Sequence, residues 1–140
     1  MTQRLEKDFA KLCKERQDIW WNRWYHVMGR YTAVPADFIV ITKDKNILIE
    51  CKECNNNVFV FERLTQKRSL LEFKAKFLHH YSYVVLCFWG GKIEDSAYFV
   101  IDIDNFIDFI DKIGKKSANL KDFQANFTPV IYKDLLTYIL

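Results

Sequence analysis

Asp37, Glu50 and Lys52 are the residues whose types and spacing best suit chemistry in this chain. Asp37 follows a Pro35-Ala36 turn and opens the apolar run Phe38-Ile39-Val40-Ile41-Thr42. After the polar tip Lys43-Asp44-Lys45, a second run, Asn46-Ile47-Leu48-Ile49, ends in Glu50-Cys51-Lys52. Two short β-branched runs joined by a tight polar turn predict a β-hairpin. Side chains alternate across a strand, so Leu48, Glu50 and Lys52 share one face, and Ile47, Ile49 and Cys51 share the other. Asp37, at the open end of the first strand, then falls near Glu50. Two converging carboxylates, with the backbone carbonyl of Cys51 as a third protein ligand, suit a hard divalent cation such as Mg2+ or Mn2+. Lys52 beside them can orient or deprotonate a water, or neutralise a phosphate. Together these groups suit hydrolysis of a phosphodiester bond. Acidic strand ends and surface Glu-x-Lys patterns are common. The aspartate after the proline turn, the two apolar strands and the helical segment that follows favour the catalytic reading.

Such side chains need elements to hold them. Residues 3 to 17 have the periodicity of an amphipathic helix, with Leu5, Phe9, Leu12 and Cys13 on one stripe. Glu6 lies one turn from Phe9, at the edge of that stripe. Trp20 to Tyr25 predicts a strand or extended segment running into a loop at Met28-Gly29-Arg30. Asn55-Asn56-Asn57 is a loop. Residues 62 to 79 predict a helix with an apolar stripe of Leu64, Leu71, Ala75 and Leu78. Strands are expected at 82 to 89 and 96 to 101, around Gly90-Gly91. Asp104 is placed to cap a helix that runs to Ile113 and stops at Gly114. A last helix is expected from Tyr132 to Ile139, after Pro129. No internal repeat, low-complexity segment or linker interrupts residues 1 to 140, so a single α/β domain is expected, a mixed sheet flanked by helices in the order α-β-β-β-α-β-β.

Asp37 with Glu50-Cys51-Lys52 resembles the PD-(D/E)xK nuclease signature, and within that superfamily the RecU-type and archaeal-type Holliday junction resolvases. The resemblance extends over residues 3 to 110. An early helix carrying Glu6 is similar to resolvases in which an N-terminal helical glutamate completes the metal site. Lys52-Glu53 followed by Phe59-Val60-Phe61-Glu62-Arg63-Leu64-Thr65-Gln66 is similar to the RecU pattern, a Lys-Glu followed by a Phe and a helix bearing a Gln. Val84 to Trp89 and Tyr98 to Ile101 resemble its two paired strands. The family implies a restriction-endonuclease-like fold, a site at which Glu6, Asp37 and Glu50 hold Mg2+ or Mn2+, and a Gln66 that touches the scissile phosphate or its water. An ordinary polar first-turn residue is the alternative for Gln66. This chain departs from the pattern in reading Pro-Ala-Asp rather than Pro-Asp. Its segment between the first helix and the hairpin is also shorter than the RecU stalk.

The remaining composition bounds the reading. The chain is 140 residues long, 50% hydrophobic and 16% aromatic, enough for one sizeable core. The net charge of +3 permits nucleic-acid binding without demanding it. Arg30, Arg63, Thr65, Lys67, Arg68 and Lys74 are the candidates to meet a DNA backbone, positioning it rather than reading sequence. A solvated helix face is the plain alternative for each basic run. Trp20, Trp21, Trp24 and Tyr25 are expected to pack as core and dimer interface, or else to stack on unpaired bases. His26, His79 and His80 form no catalytic arrangement. The charged start and the lack of a long apolar stretch point to a cytoplasmic protein without a signal peptide. Cys51 and Cys54 form a C-x-x-C without a second pair, so Cys13, Cys51, Cys54 and Cys87 are expected as buried thiols.

The reading this supports is an Mg2+-dependent endodeoxyribonuclease that resolves four-way DNA junctions by paired symmetric nicks, acting as a homodimer. A restriction-like or flap-type nuclease on duplex or branched DNA is one alternative. A nucleic-acid-binding protein of nuclease fold that does not cut is the other.

Overall fold

A computed structural model describes residues 4–24 and 34–140. The elements, in chain order, are α1 (Arg4–Lys14), β1 (Trp20–Arg23), β2 (Phe38–Ile41), β3 (Asn46–Cys54), β4 (Val58–Val60), α2 (Lys67–Lys76), β5 (His80–Phe88), β6 (Ala97–Asp102), α3 (Ile103–Ile113), β7 (Ser117–Asn119), α4 (Leu120–Asn126) and α5 (Leu135–Ile139). Five strands form one mixed sheet in the order β1-β2-β3-β5-β6. β3 and β5 run parallel, and the other neighbours are antiparallel. The central strand β3 is largely buried on both faces, as a strand covered by helices must be.

The alternation along β3 divides the interior into two layers. Ile47, Ile49 and Cys51 face Leu5, Phe9 and Cys13 of α1 and Leu135, Leu136 and Ile139 of α5. Leu48 and Cys54 face the other layer, with Leu70 of α2, Phe106 and Phe109 of α3, and Phe123 of α4. The hairpin, the first helix, β5, β6 and α3 thus appear where the residue pattern predicts them. α3 ends at Gly114, whose φ of 65° is the left-handed conformation that glycine tolerates.

Four local differences have physical causes. The predicted helix over 62 to 79 forms only from Lys67 to Lys76, because Val58–Val60 is drawn into a small antiparallel sheet with β7 and Phe61–Arg63 make a single 3-10 turn. Leu70 is fully buried while Ala75 is exposed, so the buried stripe is phased differently from the predicted one, and Leu78, 87% exposed, lies past the helix end. α3 is capped by Asp102, not Asp104: the Asp102 side chain accepts from the Asp104 amide. α4 is an additional helix, opened by a capping box in which Asn119 and Asp122 each accept from the other's backbone N–H at 2.9 Å. Its Phe123 centres an aromatic cluster with Phe88, Phe99, Phe106, Phe109 and Phe127. The final predicted helix is a 3-10 turn at Tyr132–Asp134 continued by α5.

Candidate active site

β2 pairs with β3 only from Ile41↔Asn46 to Phe38↔Ile49, whereas β3 continues beside β5 as far as Cys54↔Phe88. Glu50 to Cys54 therefore run past the start of β2. At that step Asp37 takes over. Its amide donates to the Ile49 carbonyl at 3.1 Å, and its carbonyl accepts from the Trp24 amide at 2.8 Å. Its Oδ2 accepts from the Cys51 amide at 2.8 Å. The carboxylate thus occupies the place of the next ladder partner and is held against β3.

Glu50 and Lys52 share the face predicted for them, with Lys52 Nζ 3.1 Å from Glu50 Oε2. Asp37 is 2% exposed and Glu50 1% exposed, so both carboxyls are withdrawn from water. Glu6 reaches the pair from the first turn of α1. It interacts electrostatically with Asp37, and its Oε2 accepts from Arg23 Nη2 at 3.2 Å. Burial pushes the Glu6 carboxyl up to about 7, helped by Asp37 and opposed by Arg23. Burial and then repulsion from Glu50 raise Asp37. Burial raises Glu50 as well, against the pull of Lys52. Three acids crowded at one point and disfavouring their own charge are a setting that a cation would relieve.

Among the described residues, no three His, Cys, Asp or Glu side chains stand arranged to hold a metal ion as they lie. Cations stand beside two of the carboxyls instead, Arg23 at Glu6 and Lys52 at Glu50. The donor set nonetheless suits a hard cation. It is all oxygen, and Glu50 Oε1 is buried with no hydrogen-bond partner among the described residues. A buried acceptor without a donor costs about 1–3 kcal/mol, which a bound ion would offset.

The structure brings Glu6, Asp37, Glu50 and Lys52 together, and it gives the other predicted residues varied settings. Gln66 is the N-cap residue of α2 without a capping side-chain bond, and its Oε1 is buried with no partner among the described residues. Thr65 and Lys67 are exposed beside it. Arg68 is exposed and paired with Glu72 at 2.8 Å. Arg63 is exposed but donates to the Glu53 carbonyl at 2.9 Å, bracing the end of β3. Lys74 lies 2.7 Å from Asp102 and 2.5 Å from Asp104, so two carboxylates already offset its charge. Arg30, Tyr25 and His26 lie outside the described residues.

The aromatic segment divides. Trp20 is 60% exposed, Trp21 packs on Phe38 with ring centroids 6.2 Å apart, and Trp24 packs into the layer of α2 and α3. Cys51 and Cys54 point into opposite layers and cannot grip one ion together. All four cysteines are buried and free, and burial pushes the Cys13 and Cys87 thiols up to about 12.

Two features were not read from the sequence. Arg23 joins the carboxylates from β1, and an Arg4–Glu53 pair lies at the end of β3. A cation inside an aromatic strand segment is the sequence signal for Arg23. The Arg4–Glu53 pair spans 49 residues and left no local signal.

No family model matches this chain, and no curated protein matches it. Among solved structures it is similar to Hjc, a Holliday junction resolvase from the archaeal hyperthermophile Archaeoglobus fulgidus. The TM-score is 0.59 at 15% identity, covering 90% of this chain and 94% of that one. The chain therefore has an Hjc-like nuclease fold, a five-stranded mixed sheet flanked by helices. No helix among the described residues is long and apolar enough to cross a membrane.

Proposed function

We propose that this chain is a divalent-metal-dependent endodeoxyribonuclease of the PD-(D/E)xK type that resolves four-way DNA junctions. The observation that carries the reading is the buried convergence of Asp37, Glu50 and Lys52 with Glu6, on a fold shared with a Holliday junction resolvase.

Glu6, Asp37, Glu50 and the Cys51 carbonyl would hold Mg2+ or Mn2+. That ion would supply a polarised water and charge neutralisation at the phosphate. Asp37 supplies one carboxylate while its bond to the Cys51 amide fixes its direction. Glu50 would supply the second, and its Oε1 has no hydrogen-bond partner among the described residues. Lys52 orients the attacking water or stabilises charge developing on the phosphate, a reading supported by its position 3.1 Å from Glu50. Gln66 contacts the phosphate or water from the start of α2. Thr65, Lys67 and Arg68 are exposed beside it to meet the DNA backbone. Two nicks related by symmetry need two sites, so the acting form is a homodimer.

A substrate panel tests this. End-labelled four-way junction, Y-flap, linear duplex and single strand are incubated with Mg2+ and with chelator. Paired symmetric nicks in the junction alone, abolished by chelator, are the expected result. Metal-dependent cutting spread over duplex and flap would move the function to a general or flap nuclease. Junction binding with no cutting under any metal would contradict nuclease activity.

A further inference from the structure

Of the three site carboxylates, Glu6 alone comes from a helix rather than from the sheet. It sits in the first turn of α1, the part of a helix most prone to fray. A ligand on such a turn needs an anchor. Arg4, two residues before it, supplies one. Arg4 Nε donates to Glu53 Oε1 at 3.1 Å, and Nη2 donates to Glu53 Oε2 at 2.7 Å and to Asn55 Oδ1 at 3.2 Å. The guanidinium also lies 3.7 Å from the centre of the Trp89 ring.

This is a two-pronged charge-assisted pair with a stacked ring, a geometry that lysine cannot reproduce. Glu53 is 8% exposed and lies on the β3 face opposite Glu50 and Lys52, so the proposed chemistry makes no use of it. Arg4 thus ties α1 to the ends of β3 and β5, while Arg23 holds Glu6 from the β1 side. The turn that carries Glu6 is gripped from both sides of the site.

We propose that the Arg4–Glu53 clamp is a positioning device for Glu6, and that it sets the affinity of the site for its divalent ion. The inference rests on the assignment of Glu6, Asp37 and Glu50 as metal ligands. Groups that orient metal ligands from behind typically change affinity by about 10–100-fold when removed.

Calorimetric titration of Mn2+, without DNA, tests it on wild type, Arg4→Gln, Glu53→Gln, Glu6→Gln, Asp37→Asn and the double variant Arg4→Gln/Glu6→Gln. Arg4→Gln is expected to weaken Mn2+ uptake roughly tenfold. Glu53→Gln, which leaves no unpaired buried carboxylate and so guards against misfolding, is expected to match it. In the Glu6→Gln background, Arg4→Gln is expected to add nothing, because the residue it positions has lost its charge. A merely structural role would weaken uptake by the same factor in both backgrounds, and that result overturns the clamp. Wild-type uptake by Arg4→Gln and Glu53→Gln, with uptake still lost in Asp37→Asn, overturns the clamp alone. Uptake that survives Asp37→Asn unchanged overturns the metal-site reading, and the clamp with it.

Discussion

The backbone amide of Cys51 donates to Asp37 Oδ2 across 2.8 Å, so the aspartate that would hold the metal also completes the pairing of β2 with β3. The two roles separate by substitution. Asp37→Asn keeps an acceptor for the amide and removes a charge that burial disfavours. Asp37→Ala leaves a buried N–H unsatisfied. In urea unfolding of the metal-free protein, Asp37→Asn should match or exceed wild type, and Asp37→Ala should lose about 1–3 kcal/mol.

The Glu6 carboxyl, raised from an ordinary 4.5 to about 7, binds its proton more tightly in the folded state. Its stabilising contribution is therefore complete below about pH 4.5 and is lost as pH rises through about 7. Metal-free wild type should lose roughly 2 kcal/mol relative to Glu6→Gln across that window. Asp37 and Glu50, also raised, push in the same direction. Added Mg2+ should raise the melting temperature more at pH 8 than at pH 5.5. Thermal unfolding across pH with both proteins checks this.

Lys67 and Lys74 of α2 should behave differently on DNA. Lys67 is exposed at the start of the helix, while Lys74 is held between Asp102 and Asp104. Lys67→Gln should weaken junction binding and lower the slope of log affinity against log salt by about one, and Lys74→Gln should leave the slope unchanged. Fluorescence anisotropy between low and moderate salt reads both.

Phe123 should carry much of the stability of the layer formed with α2, α3 and α4. It is fully buried, and its ring meets those of Phe88 at 5.4 Å, Phe99 at 5.8 Å and Phe109 at 4.8 Å. Phe123→Ala should cost about 3–5 kcal/mol in urea unfolding. Mn2+ uptake by the folded variant should remain at wild-type level, because the Phe123 ring packs against other phenylalanine rings and is none of the four groups brought together at the site.

The hairpin was legible because its alternation is strict and its charged residues interrupt otherwise apolar strands. Glu50 and Lys52 fall on the predicted face for that reason. α1 and α3 were legible from helical spacing, and the end of α3 from Gly114. β4 and β7 escaped because a three-residue strand has too little length to show a period. Their pairing also displaces the start of α2 from residue 62 to Lys67. The Asn119–Asp122 capping box was a local signal for α4 and went unused. Arg23 and Arg4 meet their partners across 17 and 49 residues, contacts that only the folded sheet creates.

The central claim is that the buried carboxylates hold a metal that this protein uses to cut DNA. Its most direct test is cleavage of an end-labelled four-way junction by wild type and Asp37→Asn, each with Mg2+ and with chelator. Wild type should produce paired symmetric nicks with Mg2+ and none with chelator. Asp37→Asn should bind the junction yet cut at least ~1000-fold more slowly, about 4 kcal/mol of lost transition-state stabilisation. Equal cutting by Asp37→Asn, or cutting that persists in chelator, would contradict the account.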